Sequence, residues 1–296
     1  MVTPAAKREA VGHLAAAHDF SRRRSCHLLG VCRATADYRS GRIPPTSLIA
    51  AIRRHAAERP RFGYRRLRVL AARDGESTSL SRFYRIYRRL DLSVRRRPRK
   101  RLKRVARGPR PLAMRPNERW SMDFVGDTLV DRRSFRIFAV VDDYTRECVA
   151  VEVGDVLTSE RVVRVLARAT VERGVPASIV SDNGPEFTAA RTLQWTVARG
   201  IQLDYIQPGC PTQNAYPESF NGRLRDECLN QHVFLDLDHA VELIEAWVED
   251  YNRIRPHGSL GGRTPEEFAS EFASTRPAPP HGAEQAEPVP TARGLT

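Results

Sequence analysis

The chain has 296 residues, with 49 Lys and Arg against 35 Asp and Glu, a net charge of +14 and a pI near 10.3. This length allows about two domains with cores of their own, and 41% hydrophobic residues with 28% charged ones exclude a chain that is disordered throughout. No run reaches the roughly 18 apolar residues of a transmembrane helix, and the first residues lack the apolar segment of a signal peptide, so we expect a cytoplasmic protein without a membrane partner.

The basic residues are concentrated in the first part of the chain. Residues 1–118 contain 31 Lys and Arg against 8 Asp and Glu, whereas residues 119–296 contain 18 against 27. Residues 95–110 alone hold ten basic residues and no acidic one. A solvated linker is one interpretation of this run. The favoured one is binding to the phosphate backbone of nucleic acid, because each neutralised phosphate releases counterions.

Residues 1–44 are predicted to form a short helical segment that resembles a helix-turn-helix. An apolar-periodic stretch over residues 21–40 is interrupted at Gly30, and two prolines follow it at positions 44 and 45. Glycine and proline are the strongest local breakers of regular structure. The pattern therefore predicts two short helices around a tight turn.

Residues 45–94 are predicted to form three helices, SLIAAIRRHAAE with Thr46 or Ser47 as its cap, YRRLRVLAAR and SLSRFYRIYRRL. The apolar residues at helical spacing in the third helix are Leu80, Phe83, Tyr84 and Tyr87. An Arg-rich helix after a Gly-bearing turn is typical of a helix-turn-helix, although any small basic three-helix domain has this composition. We expect this domain to bind DNA, and its predicted contacts are Arg82, Arg85 and Arg88.

From Arg119 the pattern changes to that of an α/β domain, which we place at residues 119–272 after a basic linker over 95–118. Three strand-like runs, RWSMDFVGDTLV, FRIFAVVDDY and CVAVEVGD, predict an antiparallel meander because only short turns separate them. Helices and strands then alternate, with Ser159 as the candidate cap of the first helix, and this order predicts a mixed sheet with helices on its faces. Residues 273–296 are Pro-rich and are predicted to be a disordered tail.

The last long helix of this domain carries an apolar stripe that is predicted to pack on the sheet. Its residues recur at intervals of three and four, the spacing of one helical face. They are Leu237, Ala240, Val241, Ile244, Trp247, Val248 and Tyr251.

Three acidic residues stand out by their positions. Asp123 lies in the middle of a hydrophobic strand, where a charge is costly unless it faces a cleft or a cation. Asp182 ends the strand SIVSD, at the edge of an α/β sheet where ligand sites form. Glu218 lies at the start of a helix, with Asn221 and Arg225 on the same face. The buried face of that helix is predicted to hold Phe220, Leu224 and Cys228.

Three carboxylates of this kind suit metal-dependent cleavage of a DNA phosphodiester. Two Mg²⁺ ions about 3.5–4 Å apart can activate the nucleophile and neutralise the leaving oxygen. Mg²⁺ needs only a few carboxylates, because water and substrate phosphate complete its coordination. Periodicity alone does not select this trio, since any one acid is more often a surface charge. The rival acids are Asp127, Asp142, Asp143, Glu186 and Glu227.

The chain resembles a known family in a series of ordered motifs. They are WSMDFV, VVDDYTR, SDNGPEF, QPGCPTQNAYPESFNGRLRDECLN, YNRIRPHGSL and TPEEFA, and the resemblance covers residues 20–272. These motifs are similar to those of the integrase-core DDE transposases, and more narrowly to the OrfB proteins of two-reading-frame bacterial insertion sequences, the insertion-sequence-three group.

The resemblance implies a fold and a catalytic set. It implies an RNase-H-like mixed five-stranded sheet flanked by helices, preceded by an all-α DNA-binding region. It also implies Asp123, Asp182 and Glu218 as catalytic metal ligands for Mg²⁺, with Mn²⁺ as a substitute. The last two members of the family's triad are separated by 35 residues, as Asp182 and Glu218 are here.

The resemblance further implies that the protein cleaves element ends and joins them to target DNA. Double-stranded DNA would be the substrate, with an upstream OrfA protein as partner or frameshift fusion, a homo-oligomer on DNA and a place at the nucleoid. The expected DNA contacts outside the three-helix domain are Arg95, Arg96, Arg97, Arg99, Lys100, Arg101, Lys103, Arg104, Asn221 and Arg225. A DNA-binding copy or regulator with impaired catalysis, and a nuclease of the same fold, are the alternatives.

Two residues depart from the family pattern. Family members usually have Lys where this chain has Cys210, and an ordinary apolar residue where it has Pro217. The loss of a cation at position 210 would weaken the contact with substrate. Proline suits a first helical turn, so we expect the change at position 217 to be tolerated.

A zinc site in the N-terminal segment is a further hypothesis, because retroviral integrases carry a His-His-Cys-Cys module. The candidate ligands would be His13, His18, Cys26 and Cys32. Their spacing lacks the close CxxC pair of such sites, and the five cysteines of the chain are widely separated. We therefore expect packing or surface roles for these residues, and a reducing compartment for the protein.

Overall fold

A computed structural model of the protein describes residues 3–38, 45–94, 112–207 and 214–275. The chain divides into two compact units, residues 1–50 and 51–296, so the division falls inside a helix and not at the predicted position after residue 44. The helices are α1 (Pro4–His18), α2 (Arg22–Leu28), α3 (Arg33–Asp37), α4 (Thr46–Glu58), α5 (Tyr64–Arg73), α6 (Leu80–Arg89), α7 (Ser159–Arg173), α8 (Pro185–Thr188), α9 (Ala190–Ala198), α10 (Ala215–Glu227), α11 (Leu237–Arg253) and α12 (Pro265–Thr275). The strands are β1 (Arg119–Thr128), β2 (Ser134–Asp142), β3 (Cys148–Gly154), β4 (Ser178–Ser181) and β5 (Gln202–Tyr205).

Several predictions concern residues outside the described ranges. They are the basic run with its DNA contacts from Arg95 to Arg104, Cys210, and the tail after residue 275. Within the described residues, no helix is long and apolar enough to cross a membrane.

The first unit contains one helix more than predicted. The two predicted helices are α2 and α3, and the turn between them uses Gly30 in the left-handed region with φ of 58°. The additional helix, α1, begins after the cap residue Thr3, whose hydroxyl accepts the N–H of Ala6. Its only fully buried residue is Val11, so it lacks the apolar stripe by which a helix is recognised in a sequence. Val11 packs with Cys26 and Ala36 in a small core.

The helices α5 and α6 follow the predicted segments, but the buried face of α6 differs. Phe83, Ile86 and Tyr87 are buried, whereas Leu80 and Tyr84 are 41% and 43% exposed. The predicted set therefore mixed two faces of the helix. In α4 the structure also differs from the prediction, since Thr46 and Ser47 both lie inside the helix rather than at its cap.

The second unit is built on a mixed five-stranded sheet with the strand order β3-β2-β1-β4-β5. β1 pairs with β2, and β2 with β3, in the antiparallel sense, which confirms the predicted meander. β4 lies parallel to β1 on its other side, and β5 lies parallel to β4. This is the RNase-H-like arrangement that the resemblance implies. β1 occupies the centre, so a residue on it can meet side chains from both halves of the sheet.

Alternation along the strands separates two cores. On one face, Trp120, Met122 and Phe138 pack with α7 and α9. On the other face, Val125 and Ile137 pack against α10 and α11, together with the whole predicted stripe of α11 and the predicted buried face of α10. Because side chains alternate across a strand, Asp123 shares the α10 face with Val125.

The ends of α7 differ slightly from the prediction. Thr158, not Ser159, is the N-cap, and its hydroxyl accepts the N–H of Arg161 at 3.5 Å. The helix ends as predicted at Gly174, which adopts φ of 93°. Serine and threonine are both favoured N-cap residues, so residue type alone does not decide between these two neighbours.

A buried ion cluster holds α5 to α10 and to the segment after α11. The Glu227 carboxylate accepts two hydrogen bonds from Arg255, both at 2.7 Å, and one from Arg66 at 2.9 Å. The side chains of Arg255 and Glu227 are only 1% and 7% exposed. Removing one partner of such a pair leaves an uncompensated buried charge.

We predict that Glu227→Ala lowers the free energy of unfolding by about 3–5 kcal/mol, since it strands the Arg255 guanidinium in the core. Glu160→Ala is the matched control, because Glu160 and Arg191 form an exposed pair, and it should change stability by less than about 1 kcal/mol. Urea unfolding followed by circular dichroism measures both. Equal midpoints for the two variants would contradict a structural role for the cluster.

Candidate active site

Asp123 lies half-buried in the centre of β1, on the face covered by α10. Its Oδ1 accepts the N–H of Phe124 at 2.8 Å, and its Oδ2 accepts the side-chain N–H of Asn221 on α10, also at 2.8 Å. The carboxylate is therefore oriented by one bond from its own strand and one from the helix above it. Neither bond carries a positive charge that would neutralise it.

Asp182 follows directly after β4, at the carboxyl end of that strand. Val180 pairs with Ser121 in the parallel register of β4 and β1, so two residues later the chain places Asp182 level with Asp123. Its Oδ1 accepts the N–H of Gly184 at 3.0 Å. A Cβ atom at position 184 would lie only 3.0 Å from this oxygen. Any other residue there would therefore push the Asp182 carboxylate away from its observed position.

Glu218 lies exposed in the first turn of α10. Pro217 precedes it in the same turn and is buried, in agreement with the expectation that proline is tolerated there, because the first N–H groups of a helix have no partner within it. Behind this turn, the side-chain N–H of Asn214 donates to the carbonyl of Met122 at 3.3 Å. The start of α10 is thereby attached to β1 one residue before Asp123.

The charges of Asp182 and Glu218 reach the Asp123 carboxylate. Burial, together with the charges of Asp182 and Glu218, raises the pKa of Asp123 to about 6, against the bonds from Phe124 and Asn221 that lower it. Partial burial also raises the pKa of Glu218. Two like charges can affect a third in this way only when they are close. The fold thus brings the three predicted acids to one place.

The donor set fits a hard divalent cation. Within the described residues, no three carboxylate, histidine or cysteine side chains stand close enough together to enclose a metal ion by themselves. Mg²⁺ does not require such a cage, because one or two carboxylates with water and substrate oxygens hold it. Asp123, which lies within reach of the charges of Asp182 and Glu218 and has no cationic partner among the described residues, is compatible with that requirement.

The five rival acids all have other partners. Asp142 accepts N–H groups of Asn117, Tyr144 and Thr145, and Asp143 pairs with Arg119 and Ser121. Asp142 and Asp143 are each 2% exposed, so they stabilise the turn after β2 and do not face substrate.

The remaining rivals are occupied as well. Glu186 forms an ion pair with Arg136, which lowers its pKa although burial alone would raise it. Asp127 accepts the N–H of Thr128, and Glu227 belongs to the buried ion cluster. Asp143, Glu186 and Glu227 thus have cationic partners that the sequence pattern could not indicate.

The predicted DNA contacts have different surroundings. Arg82 is half-buried, Arg85 and Arg88 are exposed on α6, and no described carboxylate pairs with these three side chains. Arg225 donates to the carbonyl of Gly126 at 2.7 Å. Asn221 bonds to Asp123, so the structure gives it a role beside the carboxylates that the sequence analysis did not assign.

Two contacts of the site have no signal in the sequence. Asn214 and Met122 are separated by 92 residues, and Asn221 and Asp123 by 98. Only the folding of α10 over β1 brings these groups together. The effect of a side chain at Gly184 likewise becomes visible only from the position of Asp182.

Comparisons with known proteins agree with this geometry. Two family models described as an integrase core domain match residues 113–211 and 199–265. An uncharacterized protein of insertion element IS407 from Burkholderia multivorans is 44% identical over 262 residues, covering 88% of this chain and 95% of that protein. Transposase InsD for insertion element IS2A/D/F/H/I/K from Escherichia coli is 28% identical over 261 residues, covering 82% and 86%.

A solved structure supports the fold. The cryo-EM structure of a simian T-cell lymphotropic virus intasome in complex with PP2A regulatory subunit B56 gamma matches with a TM-score of 0.50 and 17% identity, over 82% of this chain and 80% of that one. The chain belongs to the integrase-core DDE transposases of bacterial insertion elements, polynucleotidyl transferases that act in transposition and DNA integration.

Proposed function

We propose that Asp123, Asp182 and Glu218 are the catalytic residues with which this transposase cleaves the ends of its element and joins them to target DNA. The observation that carries the proposal is the raised pKa of Asp123, which burial and the charges of the other two acids produce together. Strongly perturbed carboxylates of this kind gather at functional sites. The rival acids are bonded to other groups of the fold and lack this arrangement.

The same three carboxylates would hold Mg²⁺, for which Mn²⁺ could substitute. When bound, such ions supply charge neutralisation at the leaving oxygen and favour a deprotonated nucleophile. Within the chain, Asp123 has to be ionised to contribute an oxygen ligand. Asn221 keeps Oδ2 of Asp123 in place, the Gly184 N–H orients Asp182, and the exposed Glu218 can approach the substrate.

The basic residues would hold the DNA around this site. The proposed contacts are the α6 arginines, the run from Arg95 to Arg104, and Arg225, which lies on the same face of α10 as Glu218. We also propose that the protein acts as a homo-oligomer on DNA, at the nucleoid, with an upstream OrfA protein as partner or fusion. The relatives that support this are insertion-element proteins and a viral intasome.

We predict that Glu218→Gln abolishes Mg²⁺-dependent nicking and strand joining on a supercoiled plasmid that carries the element ends. The loss should exceed about 100-fold, the upper range for changes that only touch a ligand's hydrogen-bond partners. DNA binding and folding should be unchanged, because the amide keeps the shape. Glu160→Gln on α7 is the control and should be fully active. Equal activity in wild type and Glu218→Gln would refute the assignment.

If the wild type binds DNA but neither nicks nor joins it, the result would favour the alternative of a DNA-binding copy with impaired catalysis. Repeating the assay with the OrfA fusion then separates an impaired catalytic site from a missing partner. Activity of the fusion that Glu218→Gln abolishes would restore the proposal.

We predict that Asp123→Asn stabilises the metal-free protein at pH 8, by about 1–3 kcal/mol. The folded-state pKa of Asp123 is raised to about 6 from 3.8, so the ionised form destabilises the folded state at alkaline pH and the neutral amide does not. The advantage should shrink as the pH falls through 6 and vanish near pH 4. Added Mg²⁺ should raise the melting temperature of the wild type only. Thermal melts across pH, with EDTA or Mg²⁺, test this, and a pH-independent difference would contradict it.

We predict that replacing Arg95, Arg96 and Arg97 by Ala weakens binding to DNA of any sequence. The slope of log K against log salt should become shallower by up to about 3, since each lost phosphate contact removes about 0.9. Lys at the same three positions keeps the charge and is the matched control. Fluorescence anisotropy over a range of NaCl concentrations gives the slopes, and identical slopes for the Ala and Lys variants would argue for a linker role only.

A further inference from the structure

A second polar cluster lies on the flank of α10 that faces away from the three carboxylates. Tyr216 and Arg223 are seven residues apart and therefore share one helix face. At 100° per residue, Glu218 lies about 200° around the helix from Tyr216. The cluster, which consists of Arg146, Tyr216 and Arg223, is thus separate from the catalytic site.

Arg146 is held in an unusual state in the turn between β2 and β3. Its backbone adopts φ of 65°, in the left-handed region, and the Tyr251 hydroxyl donates to its carbonyl at 3.2 Å. Its guanidinium carbon lies 3.8 Å from the centre of the Tyr216 ring. One terminal nitrogen, NH1, is buried and has no hydrogen-bond partner among the described residues.

A buried donor without an acceptor and a left-handed non-glycine residue are both costly. Such features persist where the surrounding structure enforces them and cluster at functional sites. Arg146 as a whole is half-buried, so its positive charge remains within reach of an anion at the surface.

The charges around the cluster leave it positive. Among the described residues, no carboxylate forms an ion pair with Arg146 or Arg223. The nearby acids are engaged elsewhere, because Asp143 pairs with Arg119 and Glu227 binds Arg66 and Arg255. Burial lowers the pKa of Arg146, against Tyr216, Asp143 and Tyr251, which raise it, and the charge of Arg223 lowers it by a smaller amount.

The neighbouring His257 does not change this balance. It is buried, and its pKa falls to about 2 through burial and through the charges of Arg255 and Arg223, so it is neutral at physiological pH. Arg223 also repels Arg66 across the same region. The positive charges outnumber the acids that could compensate them.

We propose that Arg146 and Arg223, with Tyr216 as a stacking platform for the guanidinium, form an anion subsite that binds a phosphodiester group of the DNA. Arginine suits this task because its planar fork matches phosphate oxygens in a bidentate manner. The inference rests on the proposed function, since it requires DNA to lie across the start of α10. A helix with its side chains is about 10–12 Å wide, so the subsite holds a phosphate other than the scissile one.

The test measures binding of a short fluorescein-labelled duplex in EDTA, where no cleavage interferes. Arg146→Gln and Arg223→Gln should each weaken binding about three- to tenfold and make the salt slope shallower by about 0.9. Arg164→Gln is the matched control, because Arg164 is 74% exposed on α7, on the other face of the sheet, and should bind like wild type. Arg223→Lys, which keeps the charge but not the fork, should retain most of the salt slope.

Circular dichroism melts establish that the variants fold. If Arg146→Gln unfolds because its guanidinium packs on Tyr216, Arg223→Gln decides alone, since Arg223 is half-buried on a helix surface. Unchanged affinity and salt slope in folded Arg223→Gln would overturn the proposal.

A second arm separates the two sources of the phosphate group. Inorganic phosphate is titrated into wild type and Arg223→Gln while the melting temperature is followed. Loss of DNA affinity without a phosphate effect supports the phosphodiester. A phosphate effect that the variant loses, with unchanged DNA affinity, would assign the site to free phosphate and overturn its role on DNA.

The outcome is independent of the catalytic proposal. If Glu218→Gln cleaves DNA like wild type but the arginine variants still weaken binding, the subsite stands and the catalytic assignment fails. If Glu218→Gln abolishes cleavage while the arginine variants bind DNA like wild type, the catalytic assignment stands and the subsite proposal fails.

Discussion

The cost of holding Asp123 half-buried within reach of the charges of Asp182 and Glu218 is the constraint on which the rest of the catalytic domain depends. Each of these acids comes from a different element, and none has a cationic partner among the described residues. Their approach is enforced by apolar packing on both faces of the sheet, with β1 fully paired to β2 along nine residues. The fold therefore stores an electrostatic cost at one edge that apolar burial elsewhere offsets.

The packing of helix α10 on the sheet determines where the side chains on its two flanks lie. Its buried stripe of Phe220, Leu224 and Cys228 fixes the helix on the sheet, one flank carries Glu218 and Asn221, and the other carries Tyr216 and Arg223. A rotation of the helix about its axis would move both flanks at once. The position of the acidic site and that of the arginine cluster are thus set by the same apolar contacts.

Much of this architecture could be predicted from the sequence, because the elements carry clear periodic signals. The meander, the stripe of α11 and the buried face of α10 follow from alternation and helical spacing. The helix α1 could not be found this way, since only Val11 is buried. The rival acids could not be dismissed either, because their partners are distant in the chain, as Glu186 and Arg136 are separated by 50 residues. The bond from Asn221 to Asp123 is hidden for the same reason.

Residues 59–73 form ion pairs with the sheet domain, and these pairs have a consequence for how the protein can be divided. Arg59 binds Asp250, Arg61 binds Asp226, Arg66 binds Glu227 and Arg73 binds Glu267. In each pair the arginine precedes the linker and the acid follows it. A fragment that begins at residue 112 would leave Asp226, Asp250 and Glu267 without these arginines, whereas Glu227 would keep Arg255. Asp and Glu already outnumber Lys and Arg after residue 118. Such a truncated domain would present an acidic surface to DNA. The arginines of residues 59–73 therefore act as counter-ions for the catalytic domain of the same chain.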